Sequence, residues 1–186
     1  ADCTPERKFR VARVIDQDPE FLQFVERCGL MPGVSVVVQV RDKLADAARQ
    51  AEMQLAAQVQ HDLLPRTWPV LPGIQIHAAA RPASAVGGDF YDVLPLGTNG
   101  LFACLGDVSG KGVPAAIVMA MAHAAFRCAL RTSPPEPQWL LRSAVSSLYD
   151  DFVALEMFAT AFLVLYDERT RTLRYVNAGH APAIYR

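Results

Sequence analysis

Two aspartates set among glycines are the residues of this 186-residue chain best suited to chemistry. They lie in Val86-Gly87-Gly88-Asp89-Phe90-Tyr91-Asp92 and in Gly106-Asp107-Val108-Ser109-Gly110-Lys111-Gly112. Glycine lets a backbone approach a ligand closely. Carboxylate oxygens, main-chain carbonyls and water are the donors preferred by hard divalent cations such as magnesium or manganese. An apolar strand separates the two Gly-Asp pairs, so strands folded back on each other bring both carboxylates to neighbouring strand ends. On residue type alone, Asp89 and Asp107 either hold a cation there or cap turn N–H groups, as Asp often does. Asp92, three positions beyond Asp89, is an outer partner or a solvated side chain.

The elements that must position these residues are readable from periodicity. Ile74–Ala80, Phe90–Pro95 and Leu101–Val108 read as strands, the last ending in Gly106-Asp107. Pro114 suits the first turn of a helix running to about Leu130. Ile117, Val118, Met119, Met121, Ala122, Ala125 and Phe126 make that helix apolar nearly all round, which predicts burial. Ser133–Pro137 is a loop, and Gln138–Val153 is a second helix with Leu140, Leu141, Ala144, Val145, Leu148 and Phe152 on one face. Ala159–Tyr166 and Thr172–Asn177 form a hairpin, and Pro182–Tyr185 begins another strand.

Upstream, the chain reads as a small module over residues 1–40 and a linker helix over 41–66, ahead of the main domain at 67–186. Phe9–Ile15 and Val34–Val40 are short strands flanking a helix over Pro19–Cys28, with Asp18 at its N-cap and Gly29 at its stop. Residues 41–64 lack Pro and Gly. There Leu44, Ala48, Ala51, Leu55, Val59 and Leu63 form a narrow stripe suited to close helix packing or a short coiled-coil seam.

Composition excludes several classes. A net charge of −1 gives no electrostatic reason for a nucleic-acid or anionic-membrane partner. No apolar stretch is expected to reach the ~18 residues that span a bilayer, and no signal peptide opens the sequence. Cys3, Cys28, Cys104 and Cys128 have no CxxC spacing, which fits reduced thiols in the cytoplasm and argues against zinc. Gly106 to Gly112 is one residue short of a phosphate-cradling P-loop, and Gly87-Gly88-Asp89 lacks G-x-G-x-x-G, so neither nucleotide motif applies. Lys111 stands just before the helix, where the dipole favours anions. His61, His77 and His123 share no metal spacing.

Five motifs in order resemble the PPM-type, metal-dependent protein serine/threonine phosphatases, SpoIIE/RsbU branch. They are Val59-Gln60-His61-Asp62-Leu63-Leu64-Pro65, Gly87-Gly88-Asp89-Phe90-Tyr91-Asp92, Gly106-Asp107-Val108-Ser109-Gly110-Lys111-Gly112, Phe158-Ala159-Thr160-Ala161 and Asn177-Ala178-Gly179-His180. The resemblance covers about Ala51 to Arg186. Phe21 to Val38 also looks like half of the small SH3-like barrel of FeoA proteins. The phosphatase resemblance implies an α+β sandwich of two antiparallel sheets flanked by helices. It implies a phosphoserine or phosphothreonine on a regulatory protein of the anti-sigma-factor-antagonist type as substrate, with two Mn2+ or Mg2+ ions activating water. It further implies Asp107 as the bridging ligand, with Asp89 and the Val108 carbonyl on one ion. Gly87, Gly88 and Gly106 would permit the close approach, and Thr160 would sit near the site. His180 stands where many PPM phosphatases carry Asp, giving it a metal-adjacent or turn-stabilising role. The 41–64 helix would contribute to homodimerisation and switching. Family members carry further carboxylates, including a Thr-Asp-Gly segment, that lie beyond the Asn-Ala-Gly-His motif, so the chain is expected to be an incomplete form of the domain. The alternative class is a phosphatase-like regulatory module that signals through helix-mediated dimerisation without catalysis.

Overall fold

Strand alternation decides the architecture, because it sends Phe90, Phe102 and Cys104 to one side of a sheet and the two glycine-flanked aspartates to the other. The structure, a computed structural model, describes residues 8–12, 18–37, 43–82, 84–133 and 135–184. The chain divides into two compact units, Ala1–Gln50 and Ala51–Arg186.

In the first unit, β1 (Lys8–Arg10) pairs antiparallel with β2 (Ser35–Val37), and α1 (Pro19–Arg27) lies between them in sequence. Gly29 ends α1 with a φ of +71°, a conformation that favours glycine. The described strands are shorter than the expected Phe9–Ile15 and Val34–Val40; residues 13–15 and 38–40 lie outside the described residues. Helix α2 (Lys43–Leu63) falls within the segment read as helical, and the division between the units lies within it.

The second unit is a mixed α and β domain built on an antiparallel four-stranded sheet in the order β3-β4-β5-β6. The strands are β3 (Asp89–Pro95), β4 (Gly100–Val108), β5 (Ala159–Asp167) and β6 (Thr172–Ala178). Two helices, α3 (Gly112–Thr132) and α4 (Pro137–Ala154), connect β4 to β5 and cover one face. Alanines at seven positions of α3 favour the helix intrinsically. Pro137 occupies the first turn of α4, where its missing N–H costs nothing. The core packs Phe90, Phe102, Cys104, Leu163 and Leu165 from the sheet against Met119, Ala122, Phe126, Leu140 and Ala144 from the helices. Phe102, Met119, Leu140 and Leu163 are fully buried. Burying each side chain of that size contributes roughly 1.5–3 kcal/mol.

Four expectations need correction. Ile74–Ala80 is not a strand: it forms no ladder, and Ile74 and Ile76 instead pack with Trp68 against Leu71, Val93 and Leu101. Side-chain burial alone produced the alternation there, without a neighbouring strand to bond. Ala181–Ile184 is likewise irregular, and Tyr185 lies outside the described residues. Helix α3 is not buried all round, since Ile117 is 57% exposed and faces a groove beside Leu55 and Val59 of α2. Among the described residues, α3 is also the one helix long and apolar enough to cross a membrane, against expectation. Its Ala115, Val118, Met119, Ala122, Phe126 and Ala129 are buried in the unit's own core.

Candidate active site

Antiparallel register brings the predicted site together. Asp89 on β3 pairs with Asp107 on β4, and Asp107 pairs with Thr160 on β5. The three therefore form one row across the sheet, on the face opposite α3 and α4. Both carboxylates are exposed. Burial, the neighbouring Asp107 charge and a hydrogen bond with Asp107 push the Asp89 carboxyl above the ordinary carboxylate range, while His180 opposes the rise. Two carboxylates held side by side repel unless a proton or a cation lies between them.

The glycines serve different ends. A Cβ on Gly88 would stand 2.3 Å from the Val108 carbonyl oxygen, so only glycine lets the loop lie against the end of β4. In that position the Gly88 carbonyl accepts a hydrogen bond from the Val108 N–H at 3.2 Å. At Gly106 the space is taken by the Phe90 ring, 2.3 Å from where a Cβ would sit. That glycine makes room for core packing rather than for a ligand. Gly87 is held from α2: its N–H donates to Gln60 Oε1 at 3.0 Å, and its carbonyl accepts from Gln60 Nε2 at 2.8 Å. Gln60 lies within one of the five motifs, yet residue type alone assigned it no role.

The loop after Asp107 is tied to the strand carrying Thr160. Ser109 N–H donates to the Phe158 carbonyl at 2.8 Å, and Ser109 Oγ accepts from the Phe158 N–H at 3.0 Å. Thr160 Oγ1 lies 2.8 Å from His180 Nδ1. Lys111 is exposed at the start of α3, where it forms no side-chain cap.

Asp92 is neither solvated nor part of the row. It points to the helix side, 1% exposed, and receives Arg127 Nε at 2.6 Å and Nη2 at 3.2 Å. His123 Nε2 lies 3.2 Å from Asp92 Oδ2 but is not aligned for a hydrogen bond, so it remains a buried atom without a hydrogen-bond partner. Burial alone would raise the Asp92 carboxyl, but His123 and Arg127 outweigh it and hold it below the usual range.

Two cavities flank the row. The larger, about 460 Å³, opens on the helix side and is lined by Phe90, Val145, Tyr149, Phe158 and Thr160. Its lining is mainly apolar, with Glu156 as its one carboxylate residue. The smaller, about 200 Å³, is walled by Ala57, Gln60, His61, Ala85 and Gly87, with Asp89 at its edge.

The donor set suits a hard divalent cation: two adjacent oxygen anions, one disfavoured in its charged form, with the Val108 carbonyl packed against Gly88 nearby. Among the described residues no three His, Cys, Asp or Glu side chains cluster as a metal cage, so water would complete the coordination.

Comparison with known proteins bears on the fold and the family. Residues 97–186 match the family model for stage II sporulation protein E (SpoIIE). The chain is 31% identical over 169 residues to Protein IcfG of Synechocystis, covering 77% of this chain and 26% of that protein. It is 30% identical over 136 residues to the phosphoserine phosphatase RsbU of Bacillus subtilis, covering 73% of this chain and 40% of that protein. The chain thus spans well under half the length of these curated relatives. In fold it is similar to the SiaA-PP2C domain of Pseudomonas aeruginosa, with a TM-score of 0.59 and 24% identity over 72% of this chain and 55% of that one. Over residues 97–186 the chain is thus similar to the SpoIIE family, and it shares the fold of a PP2C-type domain.

Proposed function

We propose that this protein is a metal-dependent phosphatase acting on phosphoserine or phosphothreonine of a regulatory partner protein. The observation that carries the reading is the Asp89–Asp107 pair, two carboxylates at adjacent register positions, with the Asp89 charge disfavoured despite His180. The similarity to RsbU, a phosphoserine phosphatase, supports the choice of substrate.

Asp107, Asp89 and the Val108 carbonyl would hold Mn2+ or Mg2+. When bound, the ions supply Lewis-acid chemistry, activating water and neutralising charge on the phosphoryl oxygens. The chain's own residues prepare that site. Gln60 fixes Gly87, Gly88 sets the loop against Val108, and Ser109 ties the Asp107 loop to β5. Among the described residues the cysteines are free, and Cys104 is buried with its thiol pushed up by burial, so it is no nucleophile. Hydrolysis by activated water requires none. The free cysteines also support a cytoplasmic setting, and the alanine-rich stripe on α2 supports a homodimer through that helix.

Hydrolysis of p-nitrophenyl phosphate with and without manganese tests the reading, on this chain and on any longer natural form containing it. Manganese-dependent turnover, lost in chelator, is the expected result. Absence of turnover in both forms would overturn it in favour of a signalling module built on a phosphatase scaffold.

A further inference from the structure

The turn carrying His180 is built without its imidazole. Asn177 Oδ1 accepts the His180 N–H at 2.8 Å, and Asn177 Nδ2 donates to the His180 carbonyl at 3.1 Å. Gly179 takes the left-handed bend at φ +71° and bridges to Ala161. The two Asn177 bonds reach only main-chain atoms of residue 180, so any side chain there would leave the turn closed.

The ring instead has a separate partner. Nδ1 lies 2.8 Å from Thr160 Oγ1, and Thr160 stands in the same cross-strand row as Asp107 and Asp89. A hydroxyl both donates and accepts, so it can hold Nδ1 whether or not that nitrogen carries a proton. A carboxylate in that place would favour the charged ring alone. His180 is half-buried, which leaves Nε2 as the ring nitrogen not engaged by Thr160.

We propose that His180, positioned by Thr160, is the proton donor to the leaving oxygen of the phosphorylated serine or threonine. This rests on the phosphatase reading above. An alkoxide is a poor leaving group, so its departure needs a proton as the P–O bond breaks. Water attacks phosphorus, the P–O ester bond breaks, and its electron pair stays on the side-chain oxygen. That oxygen takes the Nε2 proton, releasing the free hydroxyl. The proton lost by the attacking water returns the ring to its starting state, leaving inorganic phosphate.

The test compares two leaving groups. His180→Gln and Thr160→Val are assayed with manganese against a phosphoserine peptide and against p-nitrophenyl phosphate, whose nitrophenolate leaves without protonation. Turnover of the peptide by His180→Gln should fall about 100- to 10,000-fold, the range typical of a lost acid, and turnover of the aryl ester by less than about tenfold. Thr160→Val, which keeps the β-branched shape, should show the same bias more weakly, and Thr160→Ser should restore peptide turnover. Equal losses on both substrates would overturn the proposal while leaving the phosphatase reading intact. If the unaltered protein hydrolyses neither substrate, the phosphatase reading falls, and the role of His180 with it.

Discussion

Gln60 bonds both main-chain groups of Gly87, acting on a single residue as a neighbouring strand would. The Gly87 amide and carbonyl are half-buried, and the next residues are Gly88, whose carbonyl meets Val108, and Asp89 itself. One side chain of α2 therefore sets the approach of the glycine loop to the carboxylate pair.

Gln60→Ala should weaken Mn2+ binding about 10- to 100-fold, the usual effect of losing an outer partner that orients a metal ligand. Folding stability should fall by about 1–3 kcal/mol as the two Gly87 groups lose their partners. Titration calorimetry with Mn2+ reads the first effect. An affinity equal to that of the unaltered chain would remove Gln60 from the site.

Asp107→Asn should abolish metal-dependent turnover while circular dichroism shows an unchanged fold. Asp89→Asn should not lower the melting temperature in chelator, because burial and Asp107 already disfavour the Asp89 charge. Neither variant should gain the stabilisation that Mn2+ gives the unaltered chain. Protons compete with the cation for Asp89, so Mn2+ affinity should decline on acidification, starting above the ordinary aspartate range. Flat affinity down to pH 4 would count against Asp89 as a ligand.

Gly106→Ala should destabilise the unit by about 1–3 kcal/mol, since its Cβ would collide with the Phe90 ring. In a melting experiment that is a fall of several degrees for a domain of this size. Combining it with Phe90→Leu should recover part of the loss, a coupling expected only if the two groups share one space. Strict additivity would show that they do not.

The pairing of Asp92 with Arg127 and His123 should appear in the acid limb of the stability curve. A carboxyl held below its unfolded value of about 3.9 adds stability that is fully present above that pH. The contribution is lost as pH falls through the lowered value. Urea midpoints measured between pH 6 and pH 2 should therefore fall less steeply for Asp92→Asn. Arg127→Met should cost about 1–3 kcal/mol near neutrality, because Asp92 loses its aligned donors while Arg127 itself is partly solvated.

Much of the placement of the candidate residues was legible because they sit in short motifs with glycines and at fixed distances along strands. Asp89 and Asp107 could be placed at neighbouring strand ends from the hairpin pattern alone. Asp92 could not: only the alternation of β3, seen with α3 docked on one side, shows that it shares a face with Phe90 rather than with Asp89. Ile74–Ala80 misled because a chain packing alternate side chains on a sheet has the same period as a strand within it. Ile117 misled because an apolar residue on an apolar helix carries no mark of which neighbour covers it. Gln60 was visible in its motif, but a two-point bond to a backbone 27 residues away leaves no trace in periodicity.

The hairpin of β3 and β4 works as a ruler. Asp89 to Pro95 and Leu101 to Asp107 are matched position for position, with the turn at Leu96–Asn99 between them. One residue added to or removed from a single arm would turn its aspartate to the opposite face. Insertions confined to the turn would leave both aspartates where they are. Descendants of this sequence can therefore vary the hairpin tip freely, whereas any length change within an arm must be matched in the other to keep the pair together.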